Sequence, residues 1–199
     1  MKALVYHGPR DVQIDDKPHP TIKHPEDAIL RITSTAICGS DLHLYHGTVP
    51  GMQPGQTLGH EFMGVIEEIG SEVHDVQIGD RVVIPFNISC GRCWFCRNNM
   101  WSQCDRANPK SEIGAAYGYT QLLGGYDGGQ AEYVRIPFAN AGASLKVPDN
   151  IKTDEQVLFL SDILPTGYFA ADIANVQPGD DVAVFGAGPV GFFAVMSSF

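Results

Sequence analysis

Four cysteines, Cys90, Cys93, Cys96 and Cys104, fall within fifteen residues. They form the run Cys90-Gly91-Arg92-Cys93-Trp94-Phe95-Cys96, and a seven-residue spacer then leads to Cys104. Two-residue spacers let sulfurs converge from a single turn, and four thiolates at this spacing can enclose one tetrahedral zinc. The bacterial iron–sulfur run needs a three-residue last spacer and a following proline; here the spacer is seven residues and Asp105 follows. The N-terminal residues do not read as a secretory leader, so a reducing cytoplasm is the expected setting, and it favours thiolates over disulfides. A closed four-sulfur site has no open position. This zinc is therefore expected to fold a lobe, spanning about residues 86–110, and to catalyse nothing. A thiol redox switch built on the same cysteines is the alternative. The chemistry is expected elsewhere, starting from the fifth cysteine, Cys38.

The chain carries 13 Lys and Arg against 23 Asp and Glu, a net charge of −10. That balance lacks the basic footprint demanded by nucleic acid or an anionic membrane, and neither is expected as a partner. No apolar run approaches the length of a membrane span.

The 22 glycines and 13 prolines suit many short strands broken by turns. Lys2 to Tyr6, Val12 to Asp15, Ala28 to Thr33, Phe62 to Ile69, Arg81 to Ile84 and Gln130 to Pro137 read as strands, and Ser144 to Pro148 closes the region. The expected fold is mixed but mainly β: a partly open barrel over 1–150 carrying the zinc lobe. A boundary is expected at Pro148-Asp149-Asn150. Thr153 with Gln156 three residues on is a capping-box signal for a helix reaching Leu160. His7, His19, His24, His46 and His74 read as surface residues.

Two motifs lift Cys38 above a buried apolar cysteine. It sits in Ile37-Cys38-Gly39-Ser40-Asp41-Leu42-His43, and Leu58-Gly59-His60-Glu61-Phe62 follows about twenty residues later. Cysteine, histidine and a third, anionic ligand, with one position left open, make up a catalytic zinc site. By itself, His60 reads more readily as a satisfied core histidine.

Cys38-Gly39-Ser40-Asp41 and Gly59-His60-Glu61, followed by the four-cysteine lobe, resemble the zinc-dependent medium-chain alcohol dehydrogenases. The resemblance covers essentially the whole chain, and the loop Gly114 to Gly129 is similar to segments of the family's formaldehyde and related alcohol dehydrogenases. It implies a GroES-like barrel, and a catalytic zinc on Cys38, His60 and Asp162 with Glu61 able to approach or exchange at the metal. Asp162 stands where some branches use Asp instead of Cys; a helix cap is its other reading. The resemblance also implies that Ser40 and His43 carry a proton towards solvent and that Asp41 orients His60. For Ser40 and Asp41, turn capping is the other reading. Phe86 is expected at the substrate pocket or in the core. The implied reaction interconverts a small alcohol and an aldehyde, with NAD or NADP as hydride partner. A non-catalytic zinc-binding module is the rival reading.

Asp181 to Phe185 reads as a short buried strand, followed by Gly186-Ala187-Gly188-Pro189-Val190-Gly191 and an apolar helix from Phe192 to Ser198. A strand before and a helix after is the context in which G-x-G-x-x-G cradles a pyrophosphate at a helix N-terminus. Gly186, Gly188, Pro189, Val190 and Gly191, with Thr166 by resemblance, are the expected cofactor contacts. The acid that would hold the ribose should lie about twenty residues further on. The stretch 151–199 is therefore read as linker helices and the start of a dinucleotide-binding domain, truncated within its first unit. Val182, Val184, Phe185, Phe192, Phe193 and Met196 are expected to lack sheet neighbours, which favours self-association, and hydride transfer by the chain alone is expected to be negligible.

Overall fold

Two antiparallel neighbours start the chain, β1 (Lys2–Gly8) and β2 (Asp11–Asp16). The residues between them, Pro9 and Arg10, complete the turn, and Arg10 takes a positive φ of 62°. The main sheet contains β3 (Ala28–Ala36), β4 (Glu61–Ile69) and β5 (Arg81–Ile84), and a separate two-stranded antiparallel sheet pairs β6 (Asn87–Ile88) with β7 (Ala115–Ala116). With β8 (Tyr133–Ile136) and β9 (Leu145–Lys146), the main sheet has five strands in the order β8-β3-β4-β5-β9. A computed structural model describes residues 1–110, 113–143 and 145–199. Ser144, the expected first residue of the closing strand, lies outside the described residues.

Both faces of this sheet are covered. Leu30, Phe62, Ile66, Val82, Ile84 and Ile136 are buried on the side that meets Tyr117 and the cysteine lobe. Met63 and Val83 are buried with Leu158, which arrives from beyond the barrel. Burying both faces accounts for the unbroken apolar stretches at Ala28 to Leu30 and Val82 to Ile84, whereas β3 alternates from Arg31 onward and β8 alternates throughout.

Helix α1 (Gly39–Tyr45) follows β3, α2 (Trp94–Arg97) is a single turn in the lobe, and α3 (Ala139–Gly142) follows β8. Beyond residue 150 the capping box at Thr153 and Gln156 forms, but the helix does not continue to Leu160. The segment makes two 3-10 turns, Asp154–Gln156 and Leu158–Ser161. Tertiary anchors override the local signal. Asp154 accepts hydrogen bonds from the Thr33 and Ser34 hydroxyls at 2.5 and 2.8 Å and from Arg81 Nε at 3.0 Å, while Leu158 is drawn onto the sheet.

Two helices complete the chain, α4 (Ile163–Ile173) and α5 (Pro189–Ser197). They cross closely at Gly167, where a Cβ would lie 2.7 Å from Ala194 N. Phe193, expected to be uncovered, packs against Phe159 with ring centroids 5.8 Å apart. The expected strand Asp181 to Phe185 does not form. These residues have no regular secondary structure, are mostly exposed and lack a ladder partner among the described residues, and Phe185 is 98% exposed. A strand exists only through its pairing. Helix α5 starts at Pro189, three residues earlier than the apolar pattern suggests, because Pro189 occupies its first turn. No described helix is long and apolar enough to cross a membrane.

Candidate metal centre

The β3–β4 register builds the first half of the site. Ala36 lies opposite Glu61 at the end of the ladder. One step further along each strand comes Ile37 on one side and His60 on the other, and the next residue, Cys38, enters α1. Two motifs about twenty residues apart thus converge at one sheet end. Gly59 makes the approach to β4 possible. Its φ is +96°, and a Cβ there would lie 2.5 Å from Gln130 Cγ.

The second half arrives from the 3-10 turns. Phe86 N donates to Ser161 O at 3.0 Å, fastening the residue before Asp162 to the chain leaving β5. Cys38, His60, Glu61 and Asp162 then each offer a donor atom, all within 4.8 Å of one another. His60 Nε2 lies 3.4 Å from Asp162 Oδ2. Ligands about 2.0–2.2 Å from a tetrahedral ion are separated by about 3.3–3.6 Å, so this pair already stands at a metal-ligand spacing. On the other side of the ring, Nδ1 lies 3.3 Å from Asp41 Oδ1, close enough to pair electrostatically although neither atom makes a hydrogen bond.

The two carboxylate oxygens of Asp41 face different partners. Its Oδ2 accepts from Cys38 N at 2.9 Å, closing the first turn of α1, while Oδ1 faces His60. Asp162, in contrast, makes no side-chain cap on α4. Its carboxylate is turned to the cluster and to Thr166.

The electrostatics call for a cation. Burial opposes a charge on His60, yet Asp162 and Asp41, with Cys38, push it up to about 12. Burial raises the Glu61 carboxyl, which is 1% exposed and whose Oε1 has no hydrogen-bond partner. A buried group of carboxylates and a thiol is stabilised by a proton on His60 or by a divalent ion in its place, and metal binding releases that proton. The donor set (one sulfur, one imidazole and two carboxylates) fits zinc.

The four cysteines of the lobe converge as their spacing predicts, each offering a sulfur within 4.8 Å of the others. Cys93 Sγ stands 3.5 Å from Cys96 Sγ and 3.9 Å from Cys104 Sγ, close to the roughly 3.8 Å edge of a zinc tetrahedron with sulfur bonds of about 2.3 Å. Backbone N–H groups point at the sulfurs: Cys93 N to Cys90 Sγ at 3.3 Å and Cys90 N to Cys104 Sγ at 3.3 Å. Burial works against a thiolate at Cys90, but N–H donors from Arg92 and Cys93 bring it down to about 7. At Cys104 burial prevails and the thiol is pushed up to about 12. All five cysteines are free of disulfides.

The remaining predicted residues surround these centres. Ser40 Oγ lies 3.8 Å from Cys38 Sγ and is half-buried, and His43 is exposed on the same helix. Phe86 is half-buried beside Asp162's segment. Gly188 precedes α5 without a side-chain cap, so the first N–H groups of that helix are open to an anion. Gly186 has φ +108°, and a Cβ on Gly191 would lie 2.1 Å from Gly186 O, so this turn needs both glycines. His7, His19, His24, His46 and His74 are exposed.

Two neighbours of the site went unrecognised in the sequence. Gln130 Nε2 reaches Ala36 O at 3.4 Å and Asp41 Oδ2 at 3.5 Å, and the Tyr119 ring stands edge-on to His60 at 6.0 Å. Neither carries a local motif; each reaches the site only through the packing of the 117–130 loop.

Residues 24–149 match the model of the alcohol dehydrogenase GroES-like domain. The uncharacterized zinc-type alcohol dehydrogenase-like protein AdhB of Bacillus subtilis is 51% identical over 195 residues, covering 98% of this chain and 51% of that protein. A glutathione-independent formaldehyde dehydrogenase of Pseudomonas aeruginosa is 42% identical, covering 99% of this chain and 51% of its own length. The solved alcohol dehydrogenase TADH from Thermus sp. ATN1 superposes with a TM-score of 0.91 at 42% identity, covering 100% of this chain and 54% of that one. The chain spans about half the length of the curated relatives it matches.

Proposed function

The chain belongs to the alcohol dehydrogenase GroES-like domain family, and on that premise we propose that it forms the metal-binding and substrate-binding part of a zinc- and nicotinamide-dependent oxidoreductase acting on small alcohols and aldehydes. The observation that carries this reading is the convergence of Cys38, His60, Glu61 and Asp162 at one sheet end. A zinc ion there would polarise the oxygen of an alcohol or aldehyde, while NAD or NADP would exchange the hydride.

The chain's own residues have separable tasks. Cys38, His60 and Asp162 hold the cation, and Glu61 stands within reach as a fourth, exchangeable carboxylate. Asp41 orients His60 by facing Nδ1, which directs Nε2 at the metal position. A proton released by an alcohol leaves by way of the Ser40 hydroxyl to His43. The two residues are three apart on α1 and so share one side of the helix, half-buried at one end and exposed at the other. The Gly186–Gly191 turn presents backbone N–H groups to the cofactor's phosphates, and Thr166, exposed on α4, contributes to the cofactor side of the site. Residues 1–150 act as the catalytic domain and 151–199 as the beginning of the dinucleotide-binding one. The Cys90–Cys104 zinc shapes the lobe.

The test is to load the chain with cobalt(II) and add ethanol or formaldehyde at millimolar concentration. The visible bands of the one-sulfur site are expected to shift and those of the four-sulfur site to stay fixed. Bands that are insensitive to every small oxygen ligand would contradict a substrate position at the metal and favour the non-catalytic zinc module.

A further inference from the structure

Thr166 stands four residues beyond Asp162, in the first turn of α4, and its hydroxyl donates to Asp162 Oδ1 at 2.7 Å. The other carboxylate oxygen, Oδ2, is the one 3.4 Å from His60 Nε2. Two oxygens of a free carboxylate are equivalent, and either or both can meet a cation. Here a charge-assisted hydrogen bond distinguishes them. The backbone around Asp162 is fixed on both sides, by Thr166 N donating to Asp162 O at 2.9 Å and Phe86 N donating to Ser161 O at 3.0 Å. The side-chain torsions are then the remaining freedom of this ligand, and the Thr166 hydroxyl restrains them.

We propose that Thr166 is a positioning residue for the metal centre: its hydroxyl ties Asp162 Oδ1 to α4, so that Asp162 meets the cation through Oδ2 alone and a coordination position stays open for a substrate oxygen. This rests on the reading of Cys38, His60 and Asp162 as metal ligands. It gives Thr166 a task inside the metal-binding half, besides the cofactor contact expected of it. The hydroxyl, and not the methyl group, carries the effect, because only the hydroxyl can donate to Oδ1. An exposed position in a helix tolerates replacement, so the variants that remove and restore the hydroxyl are expected to fold.

The experiment is a cobalt(II) titration of the chain, of Thr166→Val and of Thr166→Ser. The one-sulfur site is identified by the bands lost in Cys38→Ser; the four-sulfur site has the stronger sulfur-to-metal charge transfer and serves as an internal reference. Thr166→Val is expected to weaken cobalt binding at the one-sulfur site by about tenfold or more, the usual effect of losing a hydrogen bond to a ligand. The four-sulfur site should be unaffected, and Thr166→Ser should recover wild-type affinity. An unchanged affinity in Thr166→Val, a Thr166→Ser as weak as Thr166→Val, or equal weakening of both sites would each overturn the proposal. Absence of any one-sulfur cobalt bands in the wild-type chain would instead overturn the metal-centre reading, and the proposal with it.

Discussion

Phe86 and Ser161 are joined by a single backbone hydrogen bond of 3.0 Å, and that bond links the end of the barrel sheet to the residue preceding Asp162. The relationship matters because Asp162 lies about a hundred residues beyond Cys38 and His60 in sequence. Its carboxylate reaches the cluster only if the 154–162 segment is held in register with the barrel. Asp154 at one end of that segment and Ser161 at the other provide the hold.

Replacing Asp154 by Ala should therefore loosen the segment. The carboxylate accepts from Thr33, Ser34 and Arg81, and its loss leaves the Arg81 guanidinium, whose Nη2 is already without a partner, less satisfied still. The expected cost is about 2 kcal/mol in urea unfolding at neutral pH. It is also pH-dependent. Burial would raise the Asp154 carboxyl, but the Thr33 and Ser34 hydroxyls and the Arg81 charge outweigh it and hold the group below its ordinary value of 3.8. A depressed folded-state value adds stability that is complete above 3.8 and disappears as the pH falls through the lower folded value. The difference between wild type and Asp154→Ala should shrink as the pH drops below about 4. A gap that widens on acidification would contradict this account of the clamp.

Asp41→Asn keeps the shape of the side chain but removes the charge facing His60 Nδ1. Competition with a chelator should show zinc affinity at the Cys38 site reduced by about 10- to 100-fold, with the four-sulfur site unchanged. Equal affinity in the variant would mean that His60 is oriented by packing against Tyr119 and not by Asp41.

Gly59→Ala places a methyl group against Gln130 and forces a side chain into a positive φ of 96°. Strain and overpacking together should cost about 3 kcal/mol. Because the next residue is His60, zinc at the mixed site should be lost before the fold is. Differential scanning calorimetry alongside metal analysis checks both; a variant that melts and binds zinc as the wild type does would refute the tight approach.

Much of this was legible in the sequence, and the parts that were not share one physical cause. The Cys90–Cys104 spacing announces its cluster because all four cysteines are local. Cys38 and His60 are legible through their neighbours, Asp41 and Glu61, and the Ala36–Glu61 register then brings them together. Asp162 had no comparable local signature. Its neighbourhood fits a helix cap as well as a ligand, and the choice turns on contacts with residues far away in the chain. The same holds for the two misread elements. Thr153 and Gln156 do form their capping box, but Asp154 and Leu158 are claimed by the sheet and the helix stops. Val182, Val184 and Phe185 have strand-forming side chains, but strand formation needs a neighbour, which the described residues do not offer. Gln130 and Tyr119 touch the site through loop packing alone.

The lobe provides a further check. Its short helix buries only Cys96 and its 3-10 turn buries nothing, while the two-residue strands add Ile88, Ala115 and Ala116, so metal is expected to supply much of its folding energy. Cys93→Ser should release one zinc and lower the melting temperature by several degrees. Full metal content with unchanged melting would contradict it.

The most direct test of the central claim is the zinc count at equilibrium. The chain, Cys38→Ser and Cys93→Ser are dialysed against the same buffered free zinc and analysed by elemental mass spectrometry. Two zinc ions per wild-type chain are expected, and one in each variant, with the ion retained by Cys38→Ser the slower to exchange. A wild-type chain that saturates at one ion, or a Cys38→Ser variant that still holds two, would contradict a second metal centre at Cys38, His60 and Asp162.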